Sequence, residues 1–193
     1  MDIRQTLFRY RSYTPLPFLL VMFIFAHPTP QSLFIGFLFV LVGEGIRLWG
    51  VSIAGSETRT TGSAGGTNLI TTGPFAHVRN PLYLGNILLY LGIGVMSDAL
   101  FPWLVLGAVI VFFLQYYLIA TLEEEYLART FGVAFEEYTR QVGRFFPRLR
   151  KYRAPSGVRI EGDIQRGLRS ETRTLQALFL ISLALIVLWR VRS

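Results

Sequence analysis

The sequence contains no cysteine and only two histidines, His27 and His77. Disulfides, thiol catalysis and cysteine-based metal sites are therefore excluded, and with so few histidines we expect no bound metal. Lysine is almost missing too, because 18 of the 19 basic residues are arginine. The net charge of +7 thus comes from a side chain suited to planar anions and to membrane surfaces.

Charged residues are also absent from long stretches of the chain, at 12–43, 80–97, 99–122 and 174–189. About 20 apolar residues in helical conformation cross the hydrocarbon of a bilayer. These runs show no strand-like alternation, and in lipid a helix satisfies its own backbone groups. The sequence therefore predicts an all-α polytopic membrane protein with about five transmembrane helices, whose positive charge faces lipid headgroups rather than nucleic acid.

The five apolar helices are predicted within a single domain. Their approximate bounds are 13–26, 31–53, 81–97, 101–122 and 175–189. The domain divides into a helical hairpin (1–54), a cofactor-binding catalytic core (55–153), and a basic linker with the C-terminal apolar helix (154–193). Connections are predicted as a polar loop at 55–72, a charged helical extension at 123–138, a breaker at 154–157 and a polar segment at 158–174. The first apolar run resembles a signal peptide, but no small-residue cleavage site follows it, so we predict an uncleaved helix.

The arginines indicate the topology. They concentrate in the N-terminus, the 55–80 loop and the 123–174 region, whereas the turns at 27–30 and 98–100 contain none. The positive-inside rule predicts that the three arginine-rich regions face the cytoplasm. Five crossings would place Arg190 and Arg192 on the opposite side, against that rule, so a last helix lying in the interface is the alternative.

An acidic tract, Glu123–Glu125, directly follows the fourth apolar run. The simplest interpretation of three consecutive glutamates is a solvated helix extension. On a continuous helix, however, Glu123 lies above Tyr116 and Glu124 lies above Tyr117. A carboxylate on this aromatic, partly desolvated side needs a cation, either an arginine from the neighbouring loop or a bound ligand.

A second polar motif, Arg79-Asn80-Pro81, precedes the third apolar run. Its simplest interpretation is that Arg79 marks the membrane boundary and Pro81 begins a helix. The glycines that flank the motif, Gly73 and Gly85, indicate a turn that exposes backbone N–H groups at a helix N-terminus, which favours a carboxylate or phosphate. Arg79 would add a bidentate anion clamp. Together with the acidic tract, the motif suits a zwitterion such as an amino acid moiety.

Glu44 and Arg47 lie three residues apart on the second predicted helix. They can pair on one face of that helix, which is the simplest interpretation. The alternative is that Arg47 reaches into the site formed by the other two motifs.

These motifs resemble those of the isoprenylcysteine carboxyl methyltransferase family and its phospholipid N-methyltransferase relatives. The segment 69–85 resembles the family pattern Gly-x-Tyr-x-x-x-Arg-His-Pro-x-Tyr-x-Gly, with Phe75 in place of its first Tyr and Asn80 in place of His. The segment 123–142, followed by Pro147, resembles the family's second pattern, with Phe135 in place of a Tyr. The resemblance covers about residues 40–147 and includes Ile46–Trp49 of the second helix.

The resemblance implies a methyltransferase that uses S-adenosylmethionine at the cytoplasmic face. It assigns the cofactor contacts to Leu69, Gly73, Phe75, His77, Arg79, Asn80, Pro81, Tyr83, Gly85, Tyr116, Tyr117, Glu123 and Glu124. It assigns catalysis and acceptor orientation to Arg144, Glu124 and Arg47. Because Asn80 cannot carry a proton, a base role for the family's histidine does not transfer to this chain.

The implied acceptor is a lipidic molecule that enters from the bilayer. A carboxylate acceptor, such as that of a prenylated cysteine, needs no base, whereas an amine must arrive deprotonated. The absence of histidine from the motif Arg79-Asn80-Pro81 therefore favours the carboxylate. A phospholipid amine is the alternative acceptor. Two further alternatives are a membrane sterol-type reductase that uses reduced nicotinamide phosphate, and a membrane protein without enzymatic activity.

Overall fold

The computed structural model describes residues 2–55, 68–154 and 162–192. Its helices are α1 (Ile3–Tyr10), α2 (Pro15–Phe25), α3 (Pro30–Ala54), α4 (Pro81–Ser97), α5 (Trp103–Phe131), α6 (Val133–Gln141) and α7 (Ile164–Arg192), with a 3-10 turn, Gly73–Ala76, before α4. By length and composition α3, α5 and α7 are able to cross a membrane, and α2 and α4 are shorter apolar helices. The prediction of an all-α polytopic membrane protein is confirmed.

Helices α3 and α4 form the central antiparallel pair, and glycines allow their backbones to touch. A Cβ atom at Gly92 would lie 2.7 Å from the Gly36 carbonyl oxygen, and one at Gly85 would lie 2.8 Å from the Gly43 carbonyl oxygen. Small residues permit such close approach in membranes, where apolar burial alone gives helices no reason to associate. Gly92 therefore serves close helix packing.

We expect Gly92→Ala to lower the stability of the folded protein by about 1–3 kcal/mol, because the added methyl group would overlap the backbone of α3. Gly107→Ala is the matched control, since a Cβ atom at this α5 position would have no neighbour within 4 Å. Thermal unfolding in detergent measures both effects. An equal change of unfolding temperature in the two variants would contradict the close crossing of α3 and α4.

The connecting turns lie together at one end of the bundle. The His27 amide donates to the Ser97 carbonyl oxygen over 2.9 Å, which joins the turn before α3 to the turn after α4. The opposite end holds α1, the segment 68–80, the end of α5, and α6. At that end Arg4 of α1 pairs with Glu125 of α5. The described parts of the three arginine-rich segments are thus gathered at one end, as the topology prediction requires.

Helix α7 differs from its prediction as a polar segment followed by a short apolar helix. The chain is helical from Ile164 onward and continues without a break into the apolar part. Gly167 packs against Ser52 near the end of α3, and Arg192 donates to the Ala26 carbonyl oxygen at the other end of the bundle. The polar turns of α7 can stay helical because they pack on α3. Residues 155–161 and 56–67, which include most of the predicted breaker and polar loop, lie outside the described residues.

The charged extension of α5 is helical, as predicted, but it is divided in two. Gly132 has a φ of +49°, a conformation that glycine adopts without steric cost, and it ends α5 and starts α6.

Helix α1 was not predicted from the sequence. This helix is capped by the Asp2 carboxylate, which accepts from the Arg4 amide over 2.9 Å.

Candidate functional site

The two motifs meet through their backbones. Val78 and Gly143 form an isolated parallel bridge, in which the Arg79 amide donates to the Gly143 carbonyl oxygen over 2.9 Å. The Asn80 amide donates to the Arg144 carbonyl oxygen over 3.2 Å. These bonds hold the segment before α4 against the segment after α6, so the two motifs form one structural unit.

Tyr138 of α6 strengthens this unit. Its hydroxyl donates to the Phe75 carbonyl oxygen over 2.6 Å, and its ring lies 5.2 Å from that of Tyr152. Burial raises the pKa of Tyr138, so the hydroxyl remains a donor at neutral pH.

One carboxylate joins the two motifs electrostatically. Glu124 accepts two hydrogen bonds from Arg79, at 3.0 and 3.3 Å, and two from Arg144, at 3.0 and 2.7 Å. Arg79 also donates to the backbone oxygens of Thr139 and Val142. Of the two partners that the sequence allowed for this carboxylate, an arginine of the neighbouring loop or a ligand, the structure shows the arginine, so Arg79 and Glu124 bind each other instead of opposite ends of a ligand. Two bidentate pairs on one carboxylate make a rigid cluster.

Glu123, the neighbouring carboxylate, contacts a pair of stacked tyrosines instead of arginines. The Tyr83 hydroxyl donates to Glu123 over 2.7 Å, and the Tyr83 ring stacks on Tyr116 with centroids 4.7 Å apart. The Tyr116 hydroxyl in turn accepts from the Asn86 side chain over 3.1 Å. These successive contacts connect Glu123 of α5 with Asn86 of α4, inside the bundle.

Arg47 lies at the Asn86 end of these contacts. Its guanidinium donates to Asn86 of α4 and to Glu171 of α7, and its Nε lies 3.5 Å from Glu44 on its own helix. Arg47 therefore pairs with Glu44, as the simplest interpretation held, and it also contacts residues of α4 and α7. Among the described residues, neither Glu44 oxygen has a hydrogen-bond partner. Two carboxylates thus face one guanidinium in a buried position.

A charged cavity of about 310 Å³ opens between these groups. This volume falls within the range of small-molecule sites, about 300–1,000 Å³. Predicted site residues that line it are Arg47, Leu69, Phe75, Arg79, Asn80, Pro81, Tyr83, Glu123 and Glu124. Lining residues that the sequence argument did not assign to the site are Arg11, Val51, Ala54, Asn68, Ile70, Leu82, Asn86, Tyr126, Leu127, Phe135, Tyr138 and Glu171.

A second, mostly apolar cavity of about 500 Å³ lies between α2, α4, α5 and α7. Its walls include Phe18, Leu89, Ile93 and Leu178. Arg47 and Asn86 line both cavities, so they stand at the junction between the charged and the apolar space.

The remaining predicted residues support the charged cavity without lining it. Gly73 has a φ of +60° and lies against Ile53. The backbone oxygen of His77 accepts from the Arg148 amide, and its Nδ1 lies 2.8 Å from the Arg148 carbonyl oxygen. Gly85 lies at the crossing of α3 and α4, and Tyr116 stacks under Tyr83.

Arg144 and Tyr117 contact each other outside the charged cavity, which neither of them lines. The Arg144 guanidinium lies 4.8 Å above the Tyr117 ring while it pairs with Glu124. Its hydrogen bonds to Glu124 raise the pKa of Arg144. Arg144 therefore positions Glu124, and it reaches the cavity only through that carboxylate.

Tyr138 and Glu171 line the cavity but were not assigned to it from the sequence, and they differ in how far the sequence could have indicated them. Tyr138 belongs to the second pattern, so its spacing from Glu124 could have placed it at the site. Glu171 lies in a polar segment with no motif around it, and only the packing of α7 on α3 brings it to Arg47.

The fold defines an integral membrane protein, and its two cavities share the lining residues Arg47 and Asn86. The chain belongs to the phospholipid methyltransferase family, whose model matches residues 31–134. This is a family of membrane methyltransferases, as the resemblance of the motifs indicated, and the match covers α3 to the start of α6.

Two curated relatives are named as metal-resistance proteins. The chain is 35% identical over 147 residues to the cobalt-zinc-cadmium resistance protein CzcN of Cupriavidus metallidurans, which covers 72% of this chain and 63% of the relative. It is 33% identical over 136 residues to the nickel-cobalt-cadmium resistance protein NccN of Alcaligenes xylosoxydans xylosoxydans, covering 69% and 59%. The matches thus span less than two thirds of the length of these relatives. No solved structure matches the chain.

Proposed function

We propose that this protein transfers a methyl group from S-adenosylmethionine to a lipidic acceptor held within the membrane. The observation that carries the proposal is the junction at Arg47 and Asn86, where a charged cavity meets an apolar one. A polar methyl donor and an apolar acceptor need such a pair of adjoining spaces. Membership of a methyltransferase family supports the reaction type.

The residues of the charged cavity fit S-adenosylmethionine. Arginine and glutamate side chains of both signs suit its amino acid end, and the faces of Phe75, Tyr83 and Tyr126 suit its adenine and its sulfonium. Glu123 is the carboxylate we assign to the amino group or ribose, because Glu124 is already bound by two arginines. When bound, the molecule supplies a methyl group that the sulfonium already activates.

The protein therefore has to align the reactants and exclude water, and it needs little acid–base chemistry. The apolar cavity would hold the hydrocarbon part of the acceptor, and Arg47 would orient its head group at the junction. No histidine lines either cavity among the residues that the structure describes. This supports an acceptor that needs no base, such as the carboxylate of a prenylated cysteine or a similar isoprenoid.

A phospholipid amine is the second candidate acceptor. Glu44 and Glu171 place two carboxylates around the single guanidinium of Arg47, and this excess negative charge attracts a protonated amine head group, which becomes an acceptor only once its proton has been lost. The names of the two relatives specify no acceptor. The positive-inside rule supports a cytoplasmic position for the charged cavity, where a water-soluble donor is accessible.

A binding titration followed by transfer tests the proposal. The purified protein should bind S-adenosylmethionine and not reduced nicotinamide phosphate, and membranes given the methyl-labelled donor should yield one labelled lipid or prenylated species. Base-labile label would identify a methyl ester, and base-stable label an amine. Binding of the nicotinamide compound alone would favour a reductase, and binding of neither would contradict an enzymatic role.

A further inference from the structure

A loop after α6 combines exposed apolar side chains with a cluster of positive charge. We call residues 145–152 the basic loop. Phe146 is 80% exposed and Leu149 is fully exposed, and the loop and its next residue carry the exposed cations Arg148, Arg150, Lys151 and Arg153. Apolar surface of this kind is unfavourable in water and usually marks a contact site.

The basic loop is held in place at three points. The Phe145 ring packs against Phe113 of α5, with centroids 5.4 Å apart. The Arg148 amide donates to the His77 carbonyl oxygen, and the Tyr152 amide donates to the Ala76 carbonyl oxygen, each over 2.9 Å. Phe146 and Leu149 are therefore presented outward by an anchored backbone.

The basic loop begins beside the lipid-facing surface of the bundle. Phe113 neighbours Leu114 and Tyr117 on α5, and both of these have side chains exposed on the outside of a membrane helix. Because Phe145 contacts Phe113, the loop adjoins this apolar surface. Phe146 and the cations that follow it therefore lie beside a helix that is able to cross a membrane.

We propose that the basic loop is an anchor for an anionic lipid leaflet. Phe146 and Leu149 enter the edge of the hydrocarbon, and the four cations bind the phosphate groups of acidic phospholipids. A lipid surface is favoured over a protein partner because the loop adjoins the apolar surface of a membrane-spanning helix and its charge has a single sign. The proposal stands independently of the methyl transfer.

The absence of cysteine from the chain makes the test direct. Single variants Phe146→Cys and Leu149→Cys, each carrying a nitroxide spin label, are reconstituted in phosphatidylcholine vesicles with or without phosphatidylglycerol. Leu114→Cys is the lipid-exposed control and Glu136→Cys, on the exposed side of α6, is the water-exposed control. Power saturation then compares accessibility to oxygen and to a polar nickel chelate.

We expect labels at positions 146 and 149 to be at least about fivefold less accessible to nickel than the label at position 136, because the chelate is excluded from hydrocarbon. Adding phosphatidylglycerol should move both labels deeper into the bilayer. Replacing Arg150, Lys151 and Arg153 with glutamine should remove that movement. Accessibility equal to position 136 in both lipid mixtures would overturn the proposal. Dipolar coupling between labels that disappears on dilution with unlabelled protein would also overturn it, in favour of a contact between copies of the chain.

Discussion

Glu124→Gln should weaken S-adenosylmethionine binding at least about 100-fold, which corresponds to about 2.7 kcal/mol. The substitution removes the charge that Arg79 and Arg144 share and leaves two poorly solvated guanidinium groups facing each other. Breaking a buried ion pair from one side costs about 3–5 kcal/mol. The two guanidinium groups would repel each other, and Arg79 would be displaced from the wall of the charged cavity.

Glu125→Gln is the matched control, because Glu125 lies next to Glu124 on α5 but pairs with Arg4 at an exposed position. We expect this variant to bind the donor normally. Arg79→Ala should also weaken binding, since Glu124 keeps one arginine but the wall loses the bonds to Thr139 and Val142. Calorimetric titration measures affinity, and thermal unfolding separates loss of the site from loss of the fold. Normal donor binding by both Glu124→Gln and Arg79→Ala would contradict the assignment of this cavity.

Glu171→Gln should reduce methyl transfer to membrane acceptors about 100-fold while changing donor affinity much less. Glu171 is only 3% exposed and pairs with Arg47 at the junction of the two cavities. Without this carboxylate, nothing on α7 holds the guanidinium between donor and acceptor. The expected signature is a higher KM for the acceptor, measured with labelled donor in reconstituted vesicles, at an unchanged donor Kd.

The reversed pair distinguishes this role from simple helix packing. Arg47→Glu combined with Glu171→Arg restores opposite charges between α3 and α7, so it should recover much of the thermal stability. It should not recover transfer, because the guanidinium now lies on α7. Recovery of both stability and transfer would show that the pair only joins two helices.

The sequence predicted parts of the site to different degrees. Arg79, Tyr83 and Glu123, which the motifs singled out, line the charged cavity, because helix periodicity and the Pro81 start fix their positions near α4 and α5. The pairing of Arg79 with Glu124 was one of two possibilities, since the sequence allowed either an arginine of the neighbouring loop or a ligand as the partner of the carboxylate. Helix α1 was missed because eight residues give too short a pattern for periodicity to indicate a helix.

The sequence by itself determined that the chain is a helical membrane protein and to which family its motifs belong, because charge-free runs and local spacing act within single helices. Tertiary structure decided which of those groups meet. Glu171 is 124 residues from Arg47, and Arg144 is 20 residues from Glu124, yet both pairs are in contact. Such distant contacts depend on how α7 packs on α3 and how the chain returns after α6, and no local pattern encodes that packing.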